Sequence, residues 1–220
     1  MSKLRLLFVK EAQASYISHL DLMRTFQRCF PRTELEIKHT QGYHPHPIIS
    51  IVLPLPVGQS SDCELLDFET VEETDGAGIA EKLNTGLPAG LRVRECYPVT
   101  RPVREFTFLR ARLELLYDNG VPAGTADALR ALFARETLMI EKRTKHKELA
   151  QIDIAPLIRE MTLTEQDGSI LADAVVAAQN PGLNPAYLAQ AIERELPSLK
   201  PDFVRVRRTE IYDTEGNVFR

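Results

Sequence analysis

Lys3-Leu4-Arg5-Leu6-Leu7-Phe8-Val9, followed by Ser18-His19-Leu20-Asp21-Leu22-Met23-Arg24-Thr25-Phe26-Gln27-Arg28-Cys29-Phe30-Pro31, places a strand-length apolar run ahead of a helix whose ends are both marked. Ser18 is a good N-cap. Asp21, three residues on, makes a capping box with the shorter acid and also suits the positive helix end. Leu20, Met23, Phe26 and Phe30 repeat at helical spacing and are expected to face a sheet, leaving Arg24 and Arg28 on another face. Pro31 stops the helix.

Outward from this β-α pair, Leu35 to His39 and Ile48 to Leu55 read as short strands around the Gly42/Pro45/Pro47 connection, and Glu64 to Val71 alternates as a third. Gly76 to Leu87 reads as a helix and Leu91 to Tyr97 as a strand, so the first half is β-α-β-β-β-α-β. After Pro98 to Pro102 the pattern recurs. A strand is expected over Phe106 to Leu116, a helix over Gly124 to Ala134, and strand pieces over Leu138 to Lys142 and Gln151 to Ile154. Asp167-Gly168 signals a hairpin between Met161 to Thr164 and Ile170 to Ala177. A helix over Tyr187 to Leu196 and a strand over Phe203 to Tyr212 close the chain. The expected fold is therefore α+β, with two consecutive ferredoxin-like (β-α-β-β-α-β) halves, residues 1–100 and 101–220, each with an antiparallel sheet. One continuous antiparallel sheet with four helices on one side gives the same string.

The chain has 220 residues, enough to bury a core without disulfides or a structural metal. Its N-terminus lacks the apolar stretch of a signal peptide and no run reaches membrane-spanning length, so the expectation is a cytoplasmic protein. Cys29, Cys63 and Cys96 are an odd number with no C-x-x-C pair, which reads as free, buried thiols. Net charge is -4, but it is uneven: eight acids fall between Asp62 and Glu81, while basic knots occur at Lys142 to Lys147 and Arg205 to Arg208.

Four of the five histidines, His19, His39, His44 and His46, lie between Tyr16 and Gly58. The window also holds Thr40-Gln41-Gly42-Tyr43-His44-Pro45-His46-Pro47. In an extended segment the rings of His44 and His46 point to one side. With His19 and Asp21 they make an N/O set acceptable to zinc, iron or manganese. The same residues also read as a phosphate-binding cleft, with Lys38, His39, His44 and His46 beside Arg24 and Arg28, Tyr43 stacking on a base, Gln41 adjacent, and Gly42 allowing close approach. In a general acid/base reading, His44 would be oriented by Asp21 or Asp67. Against these stands the bland reading, in which the histidines hold a rigid turn and Gly42 supplies a positive φ. No nucleophile elbow, P-loop or G-x-G-x-x-G is present.

The stretch Phe8 to Gly58, with Tyr16-Ile17-Ser18-His19-Leu20-Asp21-Leu22-Met23-Arg24-Thr25-Phe26, Gln41-Gly42-Tyr43-His44-Pro45-His46-Pro47 and Leu53-Pro54-Leu55-Pro56-Val57-Gly58, resembles the radical SAM-linked (radical SAM-associated) protein family, also described as a domain of unknown function. Gln151-Ile152-Asp153-Ile154-Ala155-Pro156-Leu157-Ile158 resembles that family's second recurring segment. The resemblance implies a domain fused behind, or working beside, a radical S-adenosylmethionine enzyme. This chain has no C-x-x-x-C-x-x-C and so cannot hold the required cluster. The expectation is a non-catalytic accessory or substrate-binding protein without a cofactor of its own, whose partners are a radical SAM enzyme and RNA or a ribosomal component. The alternative is a metal-dependent enzyme using His19, Asp21, His44 and His46.

Overall fold

β1 (Lys3–Lys10) is buried from Leu4 onward, and this strand organises the first of the two compact units into which the chain divides, Met1–Glu105 with Arg220. The second unit is Phe106–Phe219. The structure, a computed structural model, describes residues 1–143 and 149–220, so the basic knot from Lys142 to Lys147 lies largely outside the described residues. The chain is α+β, and every strand pairing described below is antiparallel.

In the first unit β1 is followed by α1 (His19–Cys29), β2 (Ile49–Ile51), β3 (Ser60–Glu69), α2 (Ile79–Asn84) and β4 (Leu91–Pro98). The strands lie in the order β4-β1-β3-β2, and Phe68 of β3 pairs with Leu4 on one side and Ile49 on the other. Ser18 caps α1 as expected: its hydroxyl accepts the Asp21 N–H at 3.1 Å and donates to Asp21 Oδ2 at 2.8 Å. The buried stripe of α1 is Leu22, Phe26 and Cys29, continued by Phe30, with Met23 half-buried. Leu20, expected in the stripe, is 64 % exposed. At roughly 100° per residue it lies about 120° round the helix from Phe26, too far to share its face. Phe26 packs edge-on to Phe8 at 5.0 Å, and Phe30 lies 4.9 Å from Phe68, so aromatic contacts carry α1 onto the sheet.

Two expected strands shrink. Leu35 to His39 becomes the bridges Ile37↔Thr70 and His39↔Pro47, and the run from Ile48 to Leu55 keeps only β2. Pro47 and Pro54 flank β2 and bring no N–H to a ladder. The order in the first unit is therefore β-α-β-β-α-β. The helix expected over Gly76 to Leu87 shortens to α2 because Gly76 and Gly78, at φ +92° and +73°, hold the chain out of helical geometry. Gly76 also lies against Cys96, whose Sγ would be 2.9 Å from an added Cβ.

The second unit runs β5 (Phe106–Leu116), α3 (Thr125–Phe133), β6 (Met139–Arg143), β7 (Leu149–Asp153), β8 (Ile158–Gln166), β9 (Ser169–Ala177), α4 (Ala186–Glu195) and β10 (Phe203–Asp213). Its sheet has the order β10-β5-β9-β8, while β6 and β7 form a separate hairpin between α3 and β8. The alternation along β5 buries Leu109, Ala111, Leu113 and Leu115. Asp167-Gly168 makes the two-residue β8–β9 turn, closed by the Gln166↔Ser169 pair. No helix among the described residues is long and apolar enough to cross a membrane.

Within the first unit, Arg5 has no exposed surface. Its Nε and Nη2 donate to Asp67 Oδ1 and Oδ2 at 2.6 and 2.8 Å, directly across the β1–β3 ladder. Replacing Asp67 by Ala removes the fork partner of a buried guanidinium and is expected to lower the unfolding free energy by about 3 kcal/mol in urea titrations. The double change Arg5→Leu with Asp67→Leu should recover much of that loss; a single-variant loss below about 1 kcal/mol would show that the pair does not hold the ladder. Burial also pushes the Cys96 thiol up to about 12, and that of Cys29 upward as well. Both should therefore alkylate with iodoacetamide at pH 8 far more slowly in native than in urea-unfolded protein, as read by peptide mass mapping.

Candidate functional site

The motif residues fall into two groups, each built by a different local device. At the start of α1 the Ser18 cap fixes Asp21, and Arg24 Nη1 reaches Asp21 Oδ1 at 3.1 Å. The hydrogen bond from Ser18, then that from Arg24, holds the Asp21 carboxyl below its ordinary value. His19, in the same helical turn, is exposed.

The second group is a loop standing on the end of β3. Lys38 N–H donates to Glu69 O at 2.8 Å and Val71 N–H to Glu36 O at 3.0 Å, fastening the rising segment. Ile48 N–H to Lys38 O at 2.8 Å and Thr40 N–H to His46 O at 2.9 Å tie the descending segment to it. Lys38 Nζ meets Glu69 Oε2 at 2.7 Å, with Lys3 on the other oxygen at 3.4 Å. These cations, Lys38 foremost, hold the Glu69 carboxyl below its ordinary value. Lys38 is thus part of the clamp at the base of the loop.

Gln41 to His46 form the exposed tip. Gly42 has φ +144°, and an added Cβ would meet nothing within 4 Å, so it is this backbone angle that calls for glycine. Tyr43 is 100 % exposed, its ring 6.5 Å from that of His44. Thr40 Oγ1 accepts the His46 N–H at 3.2 Å and lies 3.2 Å from His46 Nδ1. His39 turns back, with Nδ1 2.8 Å from Ile37 O.

Among the described residues, no hydrogen bond or ion pair joins the two groups. No three His, Cys, Asp or Glu side chains among them gather as a metal site, so His19, Asp21, His44 and His46 do not form the set that the metal reading requires. The acid/base pairing of His44 with Asp67 fails because Asp67 serves Arg5. In the phosphate reading Arg24 and Lys38 already face carboxylates, although the exposed Arg24–Asp21 pair is worth little and leaves that guanidinium open to exchange.

Reading the sequence for polar chemistry missed the apolar part of this region. Tyr16 is 68 %, Leu20 64 % and Val57 59 % exposed, all inside the motif window. Gly58 N–H donates to Ser15 O at 2.9 Å, bringing Val57 and Tyr16, the chain neighbours of the bonded residues, alongside each other. Leu55 is buried while Val57 faces out, so the Pro54-Leu55-Pro56-Val57-Gly58 segment anchors with one side chain and displays another. The signal was in the sequence, as large apolar residues interleaved with prolines and polar groups.

No curated protein matches the chain. Among solved structures, one described as "Crystal Structure of a Cbf5-Nop10-Gar1 Complex" is similar at a TM-score of 0.49 and 12 % identity, over 94 % of this chain and 48 % of that one. The chain thus spans about half the length of that relative. Another, described as "Crystal Structure of an Unknown Protein from Galdieria sulphuraria", gives a TM-score of 0.29 at 11 % identity, over 94 % of this chain and 98 % of that one. A family model matches residues 3–185, and the chain belongs to that family, described as "Uncharacterized protein conserved in bacteria (DUF2344)".

Proposed function

We propose that the chain is a non-catalytic binding module of the cytoplasm that docks a partner enzyme through its motif surface, the partner being a radical S-adenosylmethionine enzyme. The observation that carries this reading is that the distinctive motifs are spent on display. Tyr43 is fully exposed, Tyr16, Leu20 and Val57 are more than half exposed, and His19, His44 and His46 lie at the surface, while the segments bearing them are fastened to a buried core. Exposed aromatic and aliphatic groups on a firmly held loop are the usual makings of a protein contact. The raised thiols of Cys29 and Cys96 and the unassembled metal set supply no reacting group. The partner class rests on the resemblance of the Tyr16 to Phe26, Gln41 to Pro47 and Leu53 to Gly58 motifs to radical SAM-linked proteins. RNA or a ribosomal component is the substrate class we assign to the pair.

We read the fold beneath this surface as two ferredoxin-like halves. The first unit has β-α-β-β-α-β order with strands β4-β1-β3-β2. The second repeats that order as β10-β5-β9-β8 once the β6–β7 hairpin is set aside as an insertion.

Two measurements test the proposal. Isothermal titration against each cluster-loaded radical S-adenosylmethionine enzyme of the host should find one that binds. The triple change Tyr43→Ser, His44→Ala and His46→Ala should then weaken it tenfold or more. The melting temperature should move by less than about 2 °C, because the only bonds lost are exposed ones around Thr40. A large fall in melting temperature would make the tip a structural turn, and unchanged affinity would move the docking surface elsewhere. Separately, the chain reconstituted anaerobically with iron and sulfide should stay colourless and leave S-adenosylmethionine intact; a cluster absorption band with cofactor turnover would overturn the non-catalytic assignment.

A further inference from the structure

The second unit carries an unusual surface that the motif reading does not use. The alternation that buries Leu109, Ala111, Leu113 and Leu115 puts Phe108, Arg110, Arg112 and Glu114 on the opposite face of β5. β10 pairs with β5 in a register that sets Tyr212 directly beside Phe108 and Arg205 beside Glu114. Each of the two rings has a guanidinium over it: Arg159 stands 4.6 Å from the Phe108 centroid and Arg110 5.8 Å from that of Tyr212.

The ion pairs on this face are loose. Arg110 reaches Asp173 at 3.3 Å and Glu160 at 3.5 Å, and Arg112 reaches Asp173 at 3.8 Å. The Arg112 and Arg205 side chains keep 52 % and 65 % of their surface in solvent. Pairs so exposed hold their guanidiniums weakly, leaving them open to exchange carboxylate for phosphate. A solvated sheet face needs only polar groups. This one sets two aromatic rings side by side across neighbouring strands, with planar cations above them and further cations along both strands. Single-stranded RNA is recognised by that combination: unstacked bases lie on aromatic rings and guanidinium planes, and arginines follow the backbone.

We propose that the Phe108/Tyr212 face of the second unit binds single-stranded RNA. Two adjacent bases stack at Phe108 and Tyr212, with Arg159 and Arg110 on their other sides, and Arg112 and Arg205 hold the neighbouring phosphates. The chain's net charge of -4 gives no general attraction, so binding depends on these local cations and is strong only at low salt.

The test is fluorescence anisotropy of the full chain with a labelled ten-nucleotide oligouridine, its deoxy counterpart and an RNA duplex, at two salt concentrations. Expected are saturable binding of the single strands, affinity falling as salt rises, and much weaker binding of the duplex. Phe108→Ala with Tyr212→Ala should weaken the complex tenfold or more, while Phe108→Tyr with Tyr212→Phe keeps it, which separates stacking from folding damage. Arg112→Gln with Arg205→Gln should weaken binding and flatten the salt dependence, with an unchanged melting temperature. The proposal is overturned if oligouridine does not bind at low salt, if the aromatic-to-Ala change leaves affinity intact, if the Tyr/Phe exchange abolishes binding in a folded protein, or if duplex binds as tightly as single strand. Preference for the ribose or the deoxy strand decides which single strand the face takes; a deoxy preference overturns the RNA assignment.

Discussion

A guanidinium buried in a β-ladder decides how the first unit is put together. Arg5 lies directly opposite Asp67 and grips both of its carboxylate oxygens. Because side chains alternate faces along a strand, a one-residue slip of β1 against β3 would carry Arg5 into the layer of Leu4, Leu6, Phe8, Leu66 and Phe68 that packs beneath the helices. The cost of burying that charge among aliphatic and aromatic groups is larger than any gain from alternative pairings. The pair is therefore better understood as a register lock than as a source of net stability, since desolvating two charges offsets much of their attraction.

Register at Asp67 carries through to the surface two residues later. Glu69, the last residue of β3, takes Lys38 and Lys3 on its two carboxylate oxygens, and its backbone carbonyl accepts the Lys38 N–H. The chain from Lys38 to Ile48 rises and returns from that point, so the position of Tyr43, His44 and His46 is inherited from the strand pairing beneath them. The Ser18 cap does the same for His19 and Arg24 by fixing where α1 begins. Anchoring and display thus use different residues, and the exposed ones contribute little to folding.

That division explains what could be read from the sequence. β5 was legible end to end because Phe106 to Leu116 alternates without interruption. The α1 start was legible because Ser18 and Asp21 are a local, chemically determined cap. Leu20 was misassigned because periodicity weighs an apolar residue the same whether it faces the core or a partner. In the structure Cys29, a weaker hydrophobe, is buried while Leu20 is not. Leu35 to His39 has strand composition but finds its place only as bridges at the end of β3. The grouping of the histidines was hardest to judge: His19 and the His44/His46 pair are near in sequence yet belong to a helix start and a loop tip that share no bond.

The exposed groups of the two units differ in kind, and so do the ligands they suit. In the first unit they are scattered aliphatic and aromatic groups with imidazoles, at the ends of short, firmly tied excursions, a chemistry suited to a folded protein surface that excludes water on contact. In the second they are guanidiniums and rings laid out in strand register, suited to a flexible polyanion whose bases can enter one at a time. A folded partner requires positions fixed to within an ångström, which the loop clamps supply. A single strand adapts to whatever spacing the strands impose, so a sheet face needs no loop at all to receive it.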